Sequence, residues 1–164
     1  MEPFVKVRFD QGHYKVNFNA HIKAPPDRVF QLLVDFNRLH RLSKSIRYSE
    51  LIKMHKDGRA QVRVKMRGCF LFFCRNATKV EDVAICGNSD ITMTIIPELS
   101  DFKYGQSRWQ VIPHVDGTHL IYTADMVPRF RGRFFIKRQL RKSAKETVQQ
   151  LQRLANKSNN NIDQ

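Results

Sequence analysis

The sequence has 164 residues, of which 41% are hydrophobic and 10% are aromatic. A chain of this length is expected to form one domain, and its apolar content is too high for a disordered protein. It contains 29 Lys and Arg against 15 Asp and Glu, a formal net charge of +14, which favours an anionic partner such as a nucleic acid, a ribosome or a membrane surface. The alternative is a basic surface that is simply solvated.

The sequence excludes a transmembrane helix and disfavours export. The longest uninterrupted apolar run, Cys69–Cys74, has six residues, which is too short to cross a bilayer. The first residues contain no apolar stretch of signal-peptide length, which argues against export. The three cysteines, Cys69, Cys74 and Cys86, are odd in number and lack metal-ligand spacing. We therefore expect buried or free thiols in a reducing compartment and a cytoplasmic protein, with peripheral membrane contact left open.

The N-terminal quarter predicts strands followed by short helices. Residues 1–12 alternate only weakly, which indicates an N-terminal arm or an added strand, whereas 13–22 alternate as a half-buried strand. Pro25-Pro26-Asp27 should end this strand and begin a helix, because proline is tolerated in a first helical turn and an acidic residue suits the positive end of the helix dipole. A second short helix is predicted at about 36–42.

From Ile46 to Pro128 the apolar residues recur with period two. This pattern predicts six strands, at 46–55, 59–67, 69–82, 90–97, 103–113 and 118–127. Lys56-Asp57-Gly58 is a hairpin turn between the first two, and Gly68 should break the long apolar stretch that follows.

The last element is predicted to be a long helix at about 132–156, with 157–164 as a disordered polar tail. Its apolar stripe consists of Ile136, Leu140, Ala144, Val148, Leu151 and Leu154, a spacing typical of a helix that packs on a sheet. Consecutive strands joined by short turns indicate an antiparallel meander. The predicted class is therefore α+β, with a curved antiparallel sheet of six to seven strands wrapped around the C-terminal helix.

Several local sequences resemble one known superfamily. Residues 22–35 are similar to its opening "strand, Ala-Pro, then Val-Phe-x-Leu-x-x-Asp", Gly105 to Pro113 to its Gly-x-x-x-Trp-x-x-x-Pro pattern, and 117–122 to its Gly-Thr-x-Val-x-Tyr strand, with Val127-Pro128 following. By the order and spacing of these motifs, residues 13–156 resemble the helix-grip domain of the START-like and Bet v 1-like proteins. Within that superfamily the chain looks nearest to the bacterial polyketide cyclase/dehydrase and lipid-transport group.

This resemblance implies a cavity between the sheet and the terminal helix that holds a lipid, an isoprenoid quinone or a polycyclic compound. It implies binding or transport more than catalysis, because few members of the superfamily are enzymes. The residues predicted to line the cavity are Val62, Val64, Met66, Phe72, Met93, Ile95, Trp109, Val111, Tyr122, Met126, Phe134 and Phe135. The alternative is that these side chains simply fill the core.

The sequence predicts no catalytic residue, no metal site and no cofactor. None of the six histidines belongs to a His-Glu-x-x-His arrangement, and there is no Gly-x-Ser-x-Gly elbow or glycine-rich phosphate loop. Tyr104, Arg108 and Asp125 could polarise a carbonyl group at one end of the cavity, but ion pairing at the rim is the ordinary role of such residues.

Residues 129–142 contain seven basic residues and no acidic one, interleaved with phenylalanines. The basic residues predicted to contact an anionic surface are Arg129, Arg131, Arg133, Lys137, Arg138, Arg141 and Lys142. The leading hypothesis is a carrier of a hydrophobic small molecule that docks on an anionic membrane. A cyclase- or dehydrase-like enzyme is the second hypothesis, and a protein that binds RNA or the ribosome is the third. The oligomeric state is left open.

Overall fold

The computed structural model describes residues 3–157. Eight strands are formed: β1 (Phe4–Asp10), β2 (His13–Ile22), β3 (Ile46–Met54), β4 (Ala60–Phe70), β5 (Phe73–Cys86), β6 (Asp90–Ile95), β7 (Phe102–His114) and β8 (Gly117–Pro128). Two α-helices, α1 (Pro26–Leu33) and α2 (Arg133–Lys157), and two 3₁₀ helices, Phe36–Arg41 and Pro97–Leu99, complete the described part.

All eight strands belong to one antiparallel sheet in the order β1-β2-β8-β7-β6-β5-β4-β3. The long helix α2 packs against one face, and the side chains of Ala144, Val148 and Leu151 lie in the main core with the inward residues of β2, β4 and β8. The predicted α+β helix-grip fold is therefore confirmed, but the sheet has eight strands and not the predicted six to seven. The N-terminal arm is the added strand, since β1 pairs with β2 along its whole length.

The C-terminal half of α2 is fixed to the rest of the domain by polar contacts as well as by burial. The amide of Lys23 donates to Oε1 of Gln152 (2.8 Å), and the amide of Lys44 donates to Oε2 of Glu146 (3.0 Å). Leu151, between these two anchors, is fully buried. The helix is thus held over the sheet at one end, while its N-terminal half lies over the β4–β5 hairpin and β1.

The turn of the β4–β5 hairpin lies where the sequence did not predict it. Strand β4 continues through Gly68, and the chain reverses at Leu71–Phe72 instead. Gly68 does not break the strand but allows α2 to approach it closely, because a Cβ at this position would lie 2.8 Å from Cδ of Gln139 on α2. The side-chain amide nitrogen of Gln139 donates to the carbonyl oxygen of Cys69 (3.1 Å). The true turn contains no Gly, Asn or Asp, so it carries no composition signal.

The cysteine prediction is wrong for two of the three residues. Cys69 and Cys74 are direct cross-strand partners in this hairpin and form a disulfide, while Cys86 is free and exposed. The disulfide could not be predicted from the sequence, because the position of the turn that brings the two cysteines together was not known. The argument for a reducing compartment from unpaired thiols therefore no longer stands.

The remaining predicted boundaries need small corrections. The strand ends outside the β4–β5 hairpin differ from the predicted ones by at most two residues, and the second short helix is a 3₁₀ helix. Lys157, predicted to begin the disordered tail, is the last residue of α2, and the rest of that tail lies outside the described residues. No helix within residues 3–157 is long and apolar enough to cross a membrane.

Candidate functional site

A cavity of about 230 Å³ lies between the sheet and α2. Its walls are the inward-facing residues of the strands, the side chains of Leu140, Ala144 and Thr147 on α2, and apolar residues of the short helices such as Leu33 and Phe36. The apolar residues of the two layers therefore do not fill the space between them. Most of the cavity wall is apolar, as small-molecule sites usually are.

Most of the residues predicted to line the cavity do line it: Val62, Val64, Met66, Met93, Ile95, Trp109, Tyr122 and Met126. The clean alternation of β4 and the paired register of β6, β7 and β8 bring these residues to one face. The alternation of apolar and polar residues was therefore sufficient to identify the inward residues of a strand wherever its other face is polar.

Four predicted lining residues lie elsewhere. Phe72 is fully exposed (104%) in the hairpin turn, because both faces of this segment are apolar and its strand phase could not be read. Phe134 is 69% exposed at the start of α2, and Phe135 packs on Phe73 of the hairpin, with ring centroids 5.3 Å apart. Val111 is buried in the core but does not contact the cavity.

A buried ion pair in the cavity wall was missed by the sequence reasoning. Lys79 and Glu81 both lie on β5, where they face the cavity in phase with Val83. Their charged atoms, Nζ and Oε1, are 3.0 Å apart; the Glu81 side chain is only 6% exposed, and that of Lys79 is partly buried at 24%. The sequence does show that Lys79 and Glu81 lie on one face of the strand, since they alternate with Val80 and Asp82. However, Val80 is also buried, on the other face, so the alternation of this strand did not identify the inward one.

The ion pair and a neighbouring phenol form one electrostatic cluster. Burial raises the pKa of Tyr122, against the opposing attraction of Lys79, so the phenol is neutral at physiological pH and remains a hydrogen-bond donor. Burial alone would lower the pKa of Lys79, but attraction to Glu81 and Tyr122 outweighs it and the pKa is raised. The cavity therefore presents a neutral phenol and a fixed ammonium–carboxylate pair to any ligand.

An aromatic wall stands beside this cluster. The rings of Trp109 and Tyr122 are 4.5 Å apart, and they lie 5.5 and 5.3 Å from the buried ring of Phe18. Trp109 is the single tryptophan of the chain and lines the cavity. Its fluorescence is accordingly a direct reporter of cavity occupancy.

We expect Lys79→Met to destabilise the protein by about 3 kcal/mol, because it leaves the buried carboxylate of Glu81 without its partner. Burial of an unpaired carboxylate favours the protonated acid in the folded state, so the stability deficit should shrink as the pH falls from 8 to 5.5. Urea denaturation at both pH values measures this. The matched control is Lys79→Met/Glu81→Leu, which should recover most of the loss at pH 8; equal losses in both variants would show that the pair is not coupled.

An exposed apolar tip lies at the end of the domain where α2 begins. Leu71 and Phe72 are 81% and 104% exposed, and Phe73 is 54% exposed. Phe70 contacts Phe134 of α2, with ring centroids 5.6 Å apart. We call the four residues 70–73, closed by the disulfide between their neighbours, the hairpin tip.

Cations surround the hairpin tip. Arg138 lies over the ring of Phe70 (4.7 Å), and Arg75 lies over the ring of Phe130 (4.4 Å). The sequence between Gly58 and Val80 contains no acidic residue. The tip thus combines exposed apolar side chains with unneutralised positive charge.

The predicted basic residues at this end are largely exposed. Those that are exposed are Arg129, Arg131, Arg133, Arg138, Arg141 and Lys142, while Lys137 is partly buried. Within residues 3–157, none of the seven forms an ion pair with a carboxylate. Arg129 instead donates to the backbone of the Pro97–Leu99 segment and the following residue, and Arg133 lies over the ring of Phe9 (3.9 Å).

The polar set considered for catalysis does not converge on the cavity. Arg108 pairs with Asp90 (2.6 Å), and Asp125 pairs with His13 (2.7 Å). Tyr104, Arg108 and Asp125 lie along an open depression of about 690 Å³ on the opposite, outer face of the sheet, and of the three only Asp125 also borders the cavity. Polar and charged residues make up most of its lining, which does not favour an apolar ligand.

The structural comparisons agree on the fold. The protein TTHA0849 from Thermus thermophilus superposes with a TM-score of 0.73 at 16% identity, covering 88% of this chain and 98% of that one. The Zhui aromatase/cyclase from Streptomyces sp. R1128 gives 0.69 at 16% identity, covering 88% and 94%. A STAR-related lipid transfer protein from Xanthomonas axonopodis gives 0.69 at 18% identity, covering 92% and 91%. The curated proteins include no significant sequence match.

The comparison with family models is more specific than the structural comparisons. The model of the family described as polyketide cyclase/dehydrase and lipid transport matches residues 13–156, which is nearly the whole described domain from β2 to the end of α2. The predicted resemblance is thereby confirmed. The chain belongs to the polyketide cyclase/dehydrase and lipid transport family.

Proposed function

We propose that the protein binds and carries a compact, hydrophobic small molecule that bears one polar group. The observation that carries this proposal is the mostly apolar cavity with the phenol of Tyr122 and the Lys79–Glu81 pair in its wall. Apolar walls supply the driving force for burial, and a few placed polar groups orient the ligand. A carbonyl or hydroxyl oxygen of the ligand could accept a hydrogen bond from these groups, which would orient the ligand in the cavity.

The size of the cavity narrows the ligand class. At about 230 Å³ it falls somewhat below the roughly 300–1,000 Å³ typical of drug-sized ligands. This favours a fused-ring compound, a quinone head group or a single chain segment over a two-chain phospholipid. The lipid transfer protein and the aromatase/cyclase share only the fold with this chain, at 18% and 16% identity, so the volume of this cavity is the better guide to its ligand.

A cyclase-like enzyme is the second candidate, since the same cluster could polarise a carbonyl group. However, proton transfer near neutral pH is most efficient when the catalytic pKa lies close to the working pH. The pKa of Tyr122 and that of Lys79 are both raised from ordinary values that already lie well above neutrality. These shifts support binding and orientation over acid–base catalysis.

Delivery of an apolar ligand requires a donor or acceptor, and we propose that this is an anionic membrane contacted by the hairpin tip. Exposed Leu and Phe can enter the boundary of a bilayer while neighbouring Arg residues bind lipid phosphates. Phe102, which lines the cavity, contacts Phe130 (5.9 Å), which in turn lies under Arg75 near the tip. The apolar path from tip to cavity supports exchange at this end.

The proposed ligand class is tested with a matched pair of bicyclic compounds, tetralone and tetralin, which share a skeleton and differ by one ketone. We expect tetralone to change Trp109 fluorescence and to bind roughly tenfold more tightly than tetralin by calorimetry, because a hydrogen bond to a phenol or ammonium favours the ketone. The variant Lys79→Met/Glu81→Leu/Tyr122→Phe, which removes both donors, should lose most of this preference. Equal affinity for both compounds in the unmodified protein, or no binding of either, would contradict the proposal.

A further inference from the structure

Two histidines and one aspartate converge at the end of the sheet opposite the hairpin tip. His21 is close to the end of β2, His114 is the last residue of β7, and Asp116 lies in the short turn between β7 and β8. Nδ1 of His114 is 2.7 Å from Oδ1 of Asp116, and Nε2 of His21 is 3.5 Å from the same oxygen. One donor atom from each residue lies within 4.8 Å of the other two.

The His21 imidazole is the unusual member of this group. Its Nε2 is buried, yet it has no hydrogen-bond partner within the part of the chain that the structure describes. The distance of 3.5 Å to Asp116 exceeds the normal range for such a bond. A buried polar atom without a partner is destabilising, and a bound ligand or ion would supply the missing partner.

The scaffold around the three residues is rigid. Gly117, which follows Asp116, has φ +150°, and a Cβ there would lie 2.2 Å from the carbonyl oxygen of Ile22, so the turn is pressed against the end of β2. The buried hydroxyl of Thr118 donates to the carbonyl oxygen of Ala24 (2.7 Å), which fixes the same junction. The backbone positions from which His21 and Asp116 project are therefore fixed relative to each other.

The chemistry of the donor set selects a class of ion. Two imidazole nitrogens and one carboxylate oxygen suit Zn²⁺ and similar transition metals, with bonds of about 2.0–2.2 Å, whereas Ca²⁺ and Mg²⁺ prefer oxygen ligands. The side chains of His114 and Asp116 are 49% and 69% exposed, so solvent could complete the coordination. We propose that His21, His114 and Asp116 bind one Zn²⁺-class ion with at least one position open to water.

The inference is independent of the proposed cavity ligand, because the three residues lie on the outer face and none contacts the cavity. An ordinary His–Asp ion pair is the rival explanation. His55 and Asp82 form such a pair (3.1 Å) without a second histidine, and they supply the matched control.

The test is calorimetric titration of Zn²⁺ at pH 7.5 into tag-free protein in a Cys86→Ser background, since the exposed free thiol of Cys86 would bind the metal itself. We expect one ion per chain with micromolar or tighter affinity, weakened at least tenfold by His21→Ala and by Asp116→Asn. Asp116 is exposed, so its variant should fold even if His21→Ala does not. His55→Ala should leave the affinity unchanged.

Substitution of Co²⁺ provides a second readout. The absorption bands of Co²⁺ should appear on binding and be lost in Asp116→Asn but not in His55→Ala. Absence of stoichiometric binding, or binding that is equally strong in Asp116→Asn and in His55→Ala, would overturn the proposal.

Discussion

Replacing Leu71 and Phe72 together by asparagine should weaken binding to vesicles of anionic phospholipid by roughly a hundredfold. Each of these side chains is more than 80% exposed, and full burial of one such residue contributes about 1.5–3 kcal/mol. Loss of about 3 kcal/mol in total corresponds to that factor. Vesicle co-sedimentation of the variant and the unmodified protein measures it, and thermal stability should stay unchanged because neither side chain packs in the core.

The matched control for the hairpin tip is Val115→Asn. Val115 is 95% exposed, but it lies in the β7–β8 turn at the opposite end of the sheet, so its loss should not affect vesicle binding. The double charge reversal Arg131→Glu/Arg133→Glu should weaken binding as well, and raised salt should mimic it, because each cation near an anionic surface contributes about 1 kcal/mol.

Binding of RNA would also be sensitive to salt, so salt alone does not distinguish the two anionic partners. A competition of vesicles against total RNA at physiological salt does. Preference for RNA, or vesicle binding that survives Leu71→Asn/Phe72→Asn, would contradict membrane docking. Preference for RNA would favour the hypothesis of a protein that binds RNA or the ribosome. The outer depression, whose walls include Lys6, Arg8 and Lys15, would then be a candidate RNA-binding surface.

The second large effect concerns the cavity. We expect Val64→Phe/Ala144→Leu to abolish ligand binding while leaving vesicle binding intact, since both residues line the cavity from opposite walls and neither is exposed. Overpacking should cost about 1–3 kcal/mol of stability. Tetralone titration followed by Trp109 fluorescence and by calorimetry measures the loss.

The control for this experiment separates filling from destabilisation. Val64→Ala also destabilises, by the loss of buried apolar atoms, but it enlarges the cavity and should keep ligand binding. Loss of binding in Val64→Ala together with normal binding in Val64→Phe/Ala144→Leu would contradict the assignment of the site to this cavity.

The cavity residues could be predicted from the sequence only in strands where apolar and polar residues alternate clearly. In β4, Val62 and Val64 alternate with polar residues, so the inward face was evident, and both residues lie in the cavity wall. In the segment from Cys69 to Cys74 both faces are apolar, so neither the turn nor the exposure of Phe72 could be inferred. A run of apolar residues that is not interrupted by polar ones can form either a buried strand or an exposed hairpin turn.

The polar part of the site was missed for a related reason. Lys79 and Glu81 are charged residues that point inward, whereas the general expectation for charged residues in a strand is the solvent side. Period two places them on the same face as Val83, but only the register of β5, which pairs them with Val64 and Val62 of β4, shows that this face is the inward one. Likewise His21 and Asp116 are almost a hundred positions apart in the sequence, and the pairing of β2 with β8 is what brings them together.

Native mass spectrometry of the protein purified from its own host tests the central claim most directly. We predict one copurifying compact hydrophobic molecule with a carbonyl or hydroxyl group, released on unfolding and absent from Val64→Phe/Ala144→Leu prepared in parallel. Retention of the same molecule by the cavity-filled variant, or recovery of the unmodified protein without any small molecule, would contradict the account.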